Sequence, residues 1–353
     1  MIRANFDYEM ELFSGTSNLK INQEFEYLYW WTEDNLLSLS TNYSYPEQYL
    51  DYVQSLVKGE ISISRDKGQL NWWGELVDLK TEKVLNSKIT STQFAIEKNL
   101  CHSQTKIVTS QEEIQYLKNA DYVLKNPYLM SGKGFKKFHG DHFTEEVKSW
   151  ANKQFMTSPL ILEPWLRKKE DFSSYVFLQE SKVETYFNYS NEQGNYKGTI
   201  VFSNPASIFE ELEKCGVNLD YYLKFIELVS DYYTTLGAKT GMSLDSFTYE
   251  EEGFKKVYLL SEVNYRKTMG WVALKLKKYL PSDGIGQLIL VKRQKTYESF
   301  EQYKVCFKNF LYEADSHEGI ILLSHHQNQF LTFFVAAKTE PQLTLYKDFL
   351  DKL

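Results

Sequence analysis

Cysteine is scarce. The chain carries only Cys101, Cys215 and Cys306 in 353 residues. They are scattered and odd in number, which points to reduced thiols in a cytoplasmic compartment. Long apolar runs are missing, so no segment is expected to span a bilayer. The first residues, Met1-Ile-Arg-Ala-Asn-Phe-Asp-Tyr8, lack the apolar core of a signal peptide. Positive charge is not in excess: 40 Lys and Arg stand against 47 Asp and Glu, a net charge of −7. That balance argues against a polyanion-binding surface, so no nucleic-acid partner is expected. There is no internal repeat and no low-complexity tract. The remaining composition is that of a globular protein, and the length suffices for two or three domains. The many aromatics, 26 Tyr and 23 Phe among them, read as core and sheet material.

Two nucleotide signatures are also absent. No G-x-x-x-x-G-K-[ST] occurs, which excludes a P-loop. No H-R-D occurs, Asp171-Phe-Ser is not D-F-G, and the glycines follow the candidate lysine where a protein kinase has them before it.

What is present centres on Asp245, Glu262 and Asn264. Gly241-Met-Ser-Leu-Asp-Ser-Phe-Thr-Tyr249 and Lys256-Val-Tyr-Leu-Leu-Ser-Glu-Val-Asn-Tyr-Arg266 are β-prone runs about a charged, Gly-containing turn, and they predict a hairpin. Alternation along a strand puts Glu262 and Asn264 on one face. Asp245 and Glu262 are equally distant from Gly253-Phe254, so a tight turn there sets them opposite each other, with Arg266 one step further along. Two carboxylates and an amide oxygen suit Mg²⁺, which takes a few protein oxygens and leaves phosphates and waters to complete its shell.

Upstream, Lys125 lies inside the apolar strand Val123-Leu-Lys-Asn-Pro127, where a buried ammonium needs an anion. Ser131-Gly-Lys-Gly134 follows, a loop whose backbone N–H groups can wrap phosphates, with Lys133 adding charge. Lys88 stands near a helix start capped by Ser87. Glu163-Pro-Trp-Leu166 ends a strand in a hinge that offers adenine a donor and an acceptor. Glu170 and Asp171 are candidates for ribose hydroxyls. Arg3, Arg65, Glu75 and Arg167 are weaker substrate candidates. His139, His142, His325 and His326 read as solvated.

In this order the elements resemble the ATP-grasp superfamily. The resemblance matches Lys88 and Lys125 to the two ATP lysines, Ser131, Gly132, Lys133 and Gly134 to the phosphate loop, and Glu163, Trp165 and Leu166 to the adenine hinge. Asp171 matches the ribose carboxylate, Asp245, Glu262 and Asn264 the metal ligands, and Arg266 the arginine that supports transferred phosphate. It covers roughly residues 86–280. The fold it implies is α+β and α/β: two α+β subdomains clamping ATP, with an N-terminal α/β domain and a small C-terminal α+β extension. The expected boundaries are 1–87 for a preceding, substrate-binding domain, 88–166 for the lid, 167–282 for the central subdomain with the metal site, and 283–353 for the extension. The implied activity is an ATP- and Mg²⁺- (or Mn²⁺-) dependent ligase. It joins a small-molecule or peptide carboxylate to an amine through an acyl-phosphate. A phosphotransferase, a non-catalytic ATP-binding module and a homodimer stay open.

Overall fold

A computed structural model describes residues 1–353 apart from 36, 69, 115, 116, 118, 119, 129–133, 192–195 and 353. The described strands form three sheets. The first is parallel, in the order β3-β2-β1-β4, from β1 (Ile2–Arg3), β2 (Leu37–Ser40), β3 (Ile61–Ser64) and β4 (Leu70–Asn71). Its crossovers contain the helices Tyr8–Ser14, Leu19–Phe25, Leu28–Thr32 and Glu47–Leu56.

The partly alternating aromatics of 22–40 suit strands, but the segment holds the end of the helix Leu19–Phe25 and the helix Leu28–Thr32, and only Leu37–Ser40 is a strand. Burial explains the difference. Leu28, Tyr29, Trp30 and Trp31 are buried on every side of their helix, so no 3.6-residue period marks it. Fully burying one such large ring is worth roughly 4–6 kcal/mol, against about 1 kcal/mol across the whole strand-propensity scale. The same segment bolts the N-terminal sheet to the far end of the chain. Trp31 Nε1 donates to Leu323 O at 2.9 Å, and the Tyr27 hydroxyl to Thr332 at 2.7 Å.

The second sheet is antiparallel, in the order β5-β8-β6-β7, from β5 (Lys106–Val108), β6 (Asp121–Lys125), β7 (Phe135–His139) and β8 (Leu160–Pro164). The helix Glu145–Phe155, capped by Thr144, belongs to this unit, and its Val147 and Ala151 pack with Leu124, Leu160 and Leu162. The pattern Ser110-x-x-Glu113 predicts a helix to about Asn119, but residues 112–114 form a turn, and 115, 116, 118 and 119 lie outside the described residues. Its predicted capping carboxylate is real, since Glu113 accepts from the N–H groups of Thr109 and Ser110.

The third sheet has eight antiparallel strands in the order β13-β12-β9-β10-β11-β14-β16-β15. They are β9 (Lys168–Phe177), β10 (Lys182–Ser190), β11 (Tyr196–Phe202), β12 (Gly241–Glu251), β13 (Phe254–Asn264), β14 (Ile285–Lys292), β15 (Gly319–Leu322) and β16 (Phe330–Ala337). The strands beyond residue 283 therefore extend the central sheet, with β14 paired to β11. The helix Leu219–Thr235 buries Tyr222, Ile226, Val229 and Tyr233 on one side, as its periodicity predicts. The stretch 297–312, whose pattern predicts one helix, is helical over Phe300–Val305.

His325 and His326 are not solvated. They are 1% and 2% exposed, and His325 stacks on Tyr43 at 5.1 Å. Burial, with His326 and Arg293 nearby, pushes the His325 imidazole down to about 3. Among the described residues no helix is long and apolar enough to cross a membrane.

Candidate functional site

The predicted hairpin is β12 and β13. Glu251 pairs with Phe254, and the two residues between them, Glu252 and Gly253, have φ +53° and +79°. Two positive φ values make the turn that matches strand twist. It sits one residue earlier than the sequence suggested. A bulge compensates: Leu259, Leu260 and Ser261 lie opposite Ser246 alone. The displaced Leu260 N–H donates to Leu100 O at 3.0 Å, and Ser246 Oγ to Leu259 O. Beyond the bulge Asp245 pairs directly with Glu262, and Ser243 with Asn264. Met242 and Leu244 fill the core on the other face, so the three polar side chains are forced onto the open one.

Hydrogen bonds hold Asp245 from both sides. Oδ1 accepts from Ser173 at 2.8 Å and Ser243 at 3.1 Å, and Oδ2 accepts from Asn264 Nδ2 at 2.9 Å. Ser173 accepts in turn from Asn188 Nδ2, whose Oδ1 accepts from Thr199, both at 2.8 Å. Burial and the neighbouring Glu262 charge push the Asp245 carboxyl up to about 6, against the Ser173 bond. Among the described residues no ion pair reaches Asp245.

Glu262 behaves oppositely. Burial works against its charge, but Lys88, Lys125 and Arg266 outweigh it and hold the carboxyl below the usual range. Lys88 Nζ lies 3.4 Å from Glu262 Oε1. Arg266 donates through Nη2 to Asn264 Oδ1 at 3.2 Å and through Nη1 to Lys267 O at 3.0 Å. Its Nε and Nη2 both meet Glu9 Oε1 at 2.5 Å.

A hard cation fits here. Asp245 is a half-buried carboxylate beside a second carboxylate, without an ion-pair partner among the described residues, and the third oxygen is an amide. No group of three His, Cys, Asp or Glu that could hold a metal occurs among the described residues, so the amide is needed to complete the set.

From the second sheet, Lys125 reaches toward the same place. Its ammonium makes an ion pair with Glu163. Burial alone would lower its pKa, but Glu163 and Glu262 raise it. The Tyr258 hydroxyl on β13 donates to Glu163 at 3.1 Å. The Glu163 carboxylate is thus committed to Lys125 and Tyr258. In the hinge, Trp165 N–H donates to Asp121 O at 2.8 Å. A cleft of about 1170 Å³ opens between the second and third sheets, touching Lys125, Glu163, Trp165, Leu166 and Asp171. Asp171 is met there by Lys168 at 2.9 Å. Lys88 opens the helix Lys88–Glu97 with Ser87 as its cap, as expected. Ser131, Gly132 and Lys133 lie outside the described residues. Gly134, at φ +90°, accepts from Asn126 N–H at 2.8 Å.

No family model matches the sequence, and no curated protein does. Solved structures match in fold. N5-carboxyaminoimidazole ribonucleotide synthetase from Thermus thermophilus superimposes at TM-score 0.51 and 13% identity, over 90% of this chain and 81% of that one. Rhizobium etli pyruvate carboxylase gives 0.52 and 11%, over 89% of this chain and 30% of that one. L-amino acid ligase from Bacillus licheniformis gives 0.48 and 10%, over 78% and 73%. The chain has the ATP-grasp fold.

Within this ATP-grasp fold three groups at the site escape sequence reasoning. Ser173 and Ser243, which steer Asp245, are small polar residues on the open face, and that alternation is their only local signal. Glu9 comes from the helix Tyr8–Ser14 of the first sheet and has none. Of the weaker candidates, Arg3 pairs with Glu11 at 2.7 Å and Arg65 donates to Ser44 at 3.0 Å. Arg167 borders the large cleft, and Glu75 borders a second one.

Proposed function

We propose that this protein is an ATP-dependent ligase that joins a carboxylate to an amine and releases ADP and phosphate. The observation that carries the reading is the register pair Asp245–Glu262 with Asn264, ringed by Lys88, Lys125 and Arg266 beside a nucleotide-sized cleft. Mg²⁺ or Mn²⁺ held by Asp245, Glu262 and Asn264 would neutralise charge on the ATP phosphates.

The chain's own groups supply the rest. Trp165 and Leu166 line the cleft and would meet adenine, and Asp171 would meet the ribose hydroxyls. Lys88 and Lys125 bring positive charge to the phosphates. A carboxylate is a poor electrophile, so it first attacks the γ-phosphorus. The bond from that phosphorus to the bridging oxygen breaks and ADP leaves. The amine then attacks the acyl carbon, phosphate leaves with the C–O bond pair, and the amine proton passes to solvent. Positioning and charge neutralisation are the protein's contribution, with water kept from the acyl-phosphate.

The test is a panel of carboxylate and amine pairs, read by ADP release and product mass. ADP that appears only with both partners supports the ligase. A phosphorylated acceptor formed without an amine shows a phosphotransferase instead, and ATP binding without turnover across the panel shows a binding module. Glu262→Gln and Asn264→Ala are expected to lose turnover by at least about a hundredfold while circular dichroism stays native. Wild-type rates in either variant refute the metal assignment.

A further inference from the structure

A second cleft, of about 450 Å³, lies further along the same sheet face. Strand register fixes its position. On β12, Phe247, Asp245, Ser243 and Gly241 follow one another on the open face, and they pair with Asp171, Ser173, Tyr175 and Phe177 of β9. The large cleft touches Phe247 and Asp171, whereas the second touches Gly241, Tyr175 and Phe177. Asp245 sits between the two, roughly 13 Å of strand from Gly241. The N-terminal sheet supplies the opposite wall through Asn71, Trp72, Trp73 and Gly74.

Lys267, three residues past Asn264, is the unusual group in this cleft. Its N–H donates to Trp73 O at 2.9 Å and its ammonium to Trp72 O at 2.8 Å. The ammonium lies 5.6 Å from the Trp72 ring and 4.9 Å from the Trp271 ring. Among the described residues no carboxylate pairs with it directly, and burial pushes its pKa down against the more distant charges of Glu33 and Glu75. An ammonium has three donors. One carbonyl and two ring faces leave capacity for an anion, and a largely buried cation gains most from a carboxylate placed against it. Arg266 also borders the cleft, but Glu9, Asn264 and Lys267 O already engage it. Lys275 lies 5.6 Å from the Trp271 ring, and among the described residues no hydrogen bond fixes it. At the rim, Glu75 and Glu180 are exposed and make no ion pair with described residues. Acids at the mouth and a cation inside disfavour a multiply charged anion and favour a ligand bearing both signs.

We infer that the second cleft binds the acid substrate as a zwitterion, with its carboxylate on Lys267 Nζ and its ammonium toward Glu75 and Glu180. The substrate class is then a free amino acid or short peptide. The chemistry that follows binding rests on the ligase reading, but the binding itself does not.

The test is calorimetric titration without nucleotide, using L-alanyl-L-alanine, its C-terminal amide and its N-acetyl derivative. The free dipeptide should bind about tenfold or more tightly than the amide. N-acetylation should weaken binding only a few-fold, since Glu75 and Glu180 are exposed. Lys267→Gln should erase the preference for the acid over the amide, and Lys267→Arg should retain most of it. Equal affinity for acid and amide in the wild-type protein overturns the inference whether or not the variants fold, as does failure of all three probes to bind. A parallel ATP titration separates the two readings. Dipeptide discrimination without ATP binding sinks the ligase and leaves this site standing. ATP binding without discrimination does the reverse.

Discussion

Glu9→Gln tests whether the N-terminal sheet takes part in the site or merely adjoins it. Glu9 Oε1 receives both Nε and Nη2 of Arg266, and the two side chains are only 10% and 13% exposed. The amide keeps the shape of the carboxylate and removes its charge. Breaking a buried ion pair from one side costs about 3–5 kcal/mol in general. Here Glu262 and Asp245 still act on the guanidinium, and Asn264 Oδ1 and Lys267 O still accept from it. The loss should therefore fall toward the low end, about 2–3 kcal/mol. Urea denaturation of the single variants and of Glu9→Gln with Arg266→Gln completes a double-mutant cycle, with an expected coupling of about 1 kcal/mol or more. Because Arg266 also holds Asn264, which donates to Asp245, the variant should require several-fold more Mg²⁺ for half-maximal ADP release. A variant within about 0.5 kcal/mol of wild type, with no coupling in the cycle, would refute the reasoning.

Lys125→Met leaves the Glu163 carboxylate with Tyr258 but without its cation. We expect about 2 kcal/mol of lost stability and ATP binding weakened by about tenfold or more; an unchanged ATP dissociation constant refutes the assignment of Lys125. Glu26 provides a pH test away from the site. It is 4% exposed, and burial pushes its carboxyl from 4.5 up to about 7 against bonds from Thr41 and Tyr45. The folded state holds this proton more tightly than the unfolded chain does. Its contribution is therefore complete below about pH 4.5 and is lost as pH rises through about 7, some 2.5 units or about 3 kcal/mol in all. Glu26→Gln should flatten that part of the stability profile between roughly pH 5 and pH 8; an unchanged slope in urea titrations counts against it.

The trio was legible because a strand's two-residue period is visible in one sequence. Asp245 and Glu262 lie opposite each other, as predicted, although the turn falls one residue earlier than the sequence suggests, because the bulge at Leu259–Ser261 absorbs the difference. The helix Leu28–Thr32 was not legible, since burial on every side erases the period that marks a surface helix. Ser173 was illegible for another reason. Its place beside Asp245 depends on the pairing of β9 with β12, 72 residues apart along the chain. The Arg266–Glu9 contact spans 257 residues, and no local pattern encodes it. Glu163 shows the limit within a correctly placed motif. Its strand and hinge lie where expected, but its carboxylate faces Lys125 because Val123 and Glu163 are register partners.

Asn264 connects the two halves of the site. Its amide presents nitrogen to Asp245 and oxygen to Arg266. Each orientation suits the charge it faces, since a carboxylate calls for a donor and a guanidinium for an acceptor. Asn264 can offer its oxygen on the Asp245 side only by turning the amide over, and that turn gives up the bond from Arg266 Nη2. Of the five donors on the guanidinium, Glu9 keeps two engaged and Lys267 O a third. With a cation on the carboxylates, the donor released by Asn264 would be free for a neighbouring anion. One side-chain rotation would then link occupancy of the oxygen trio to the availability of Arg266. Glu9 would keep the freed guanidinium in place, so on the proposed chemistry the helix Tyr8–Ser14 would hold Arg266 at the site.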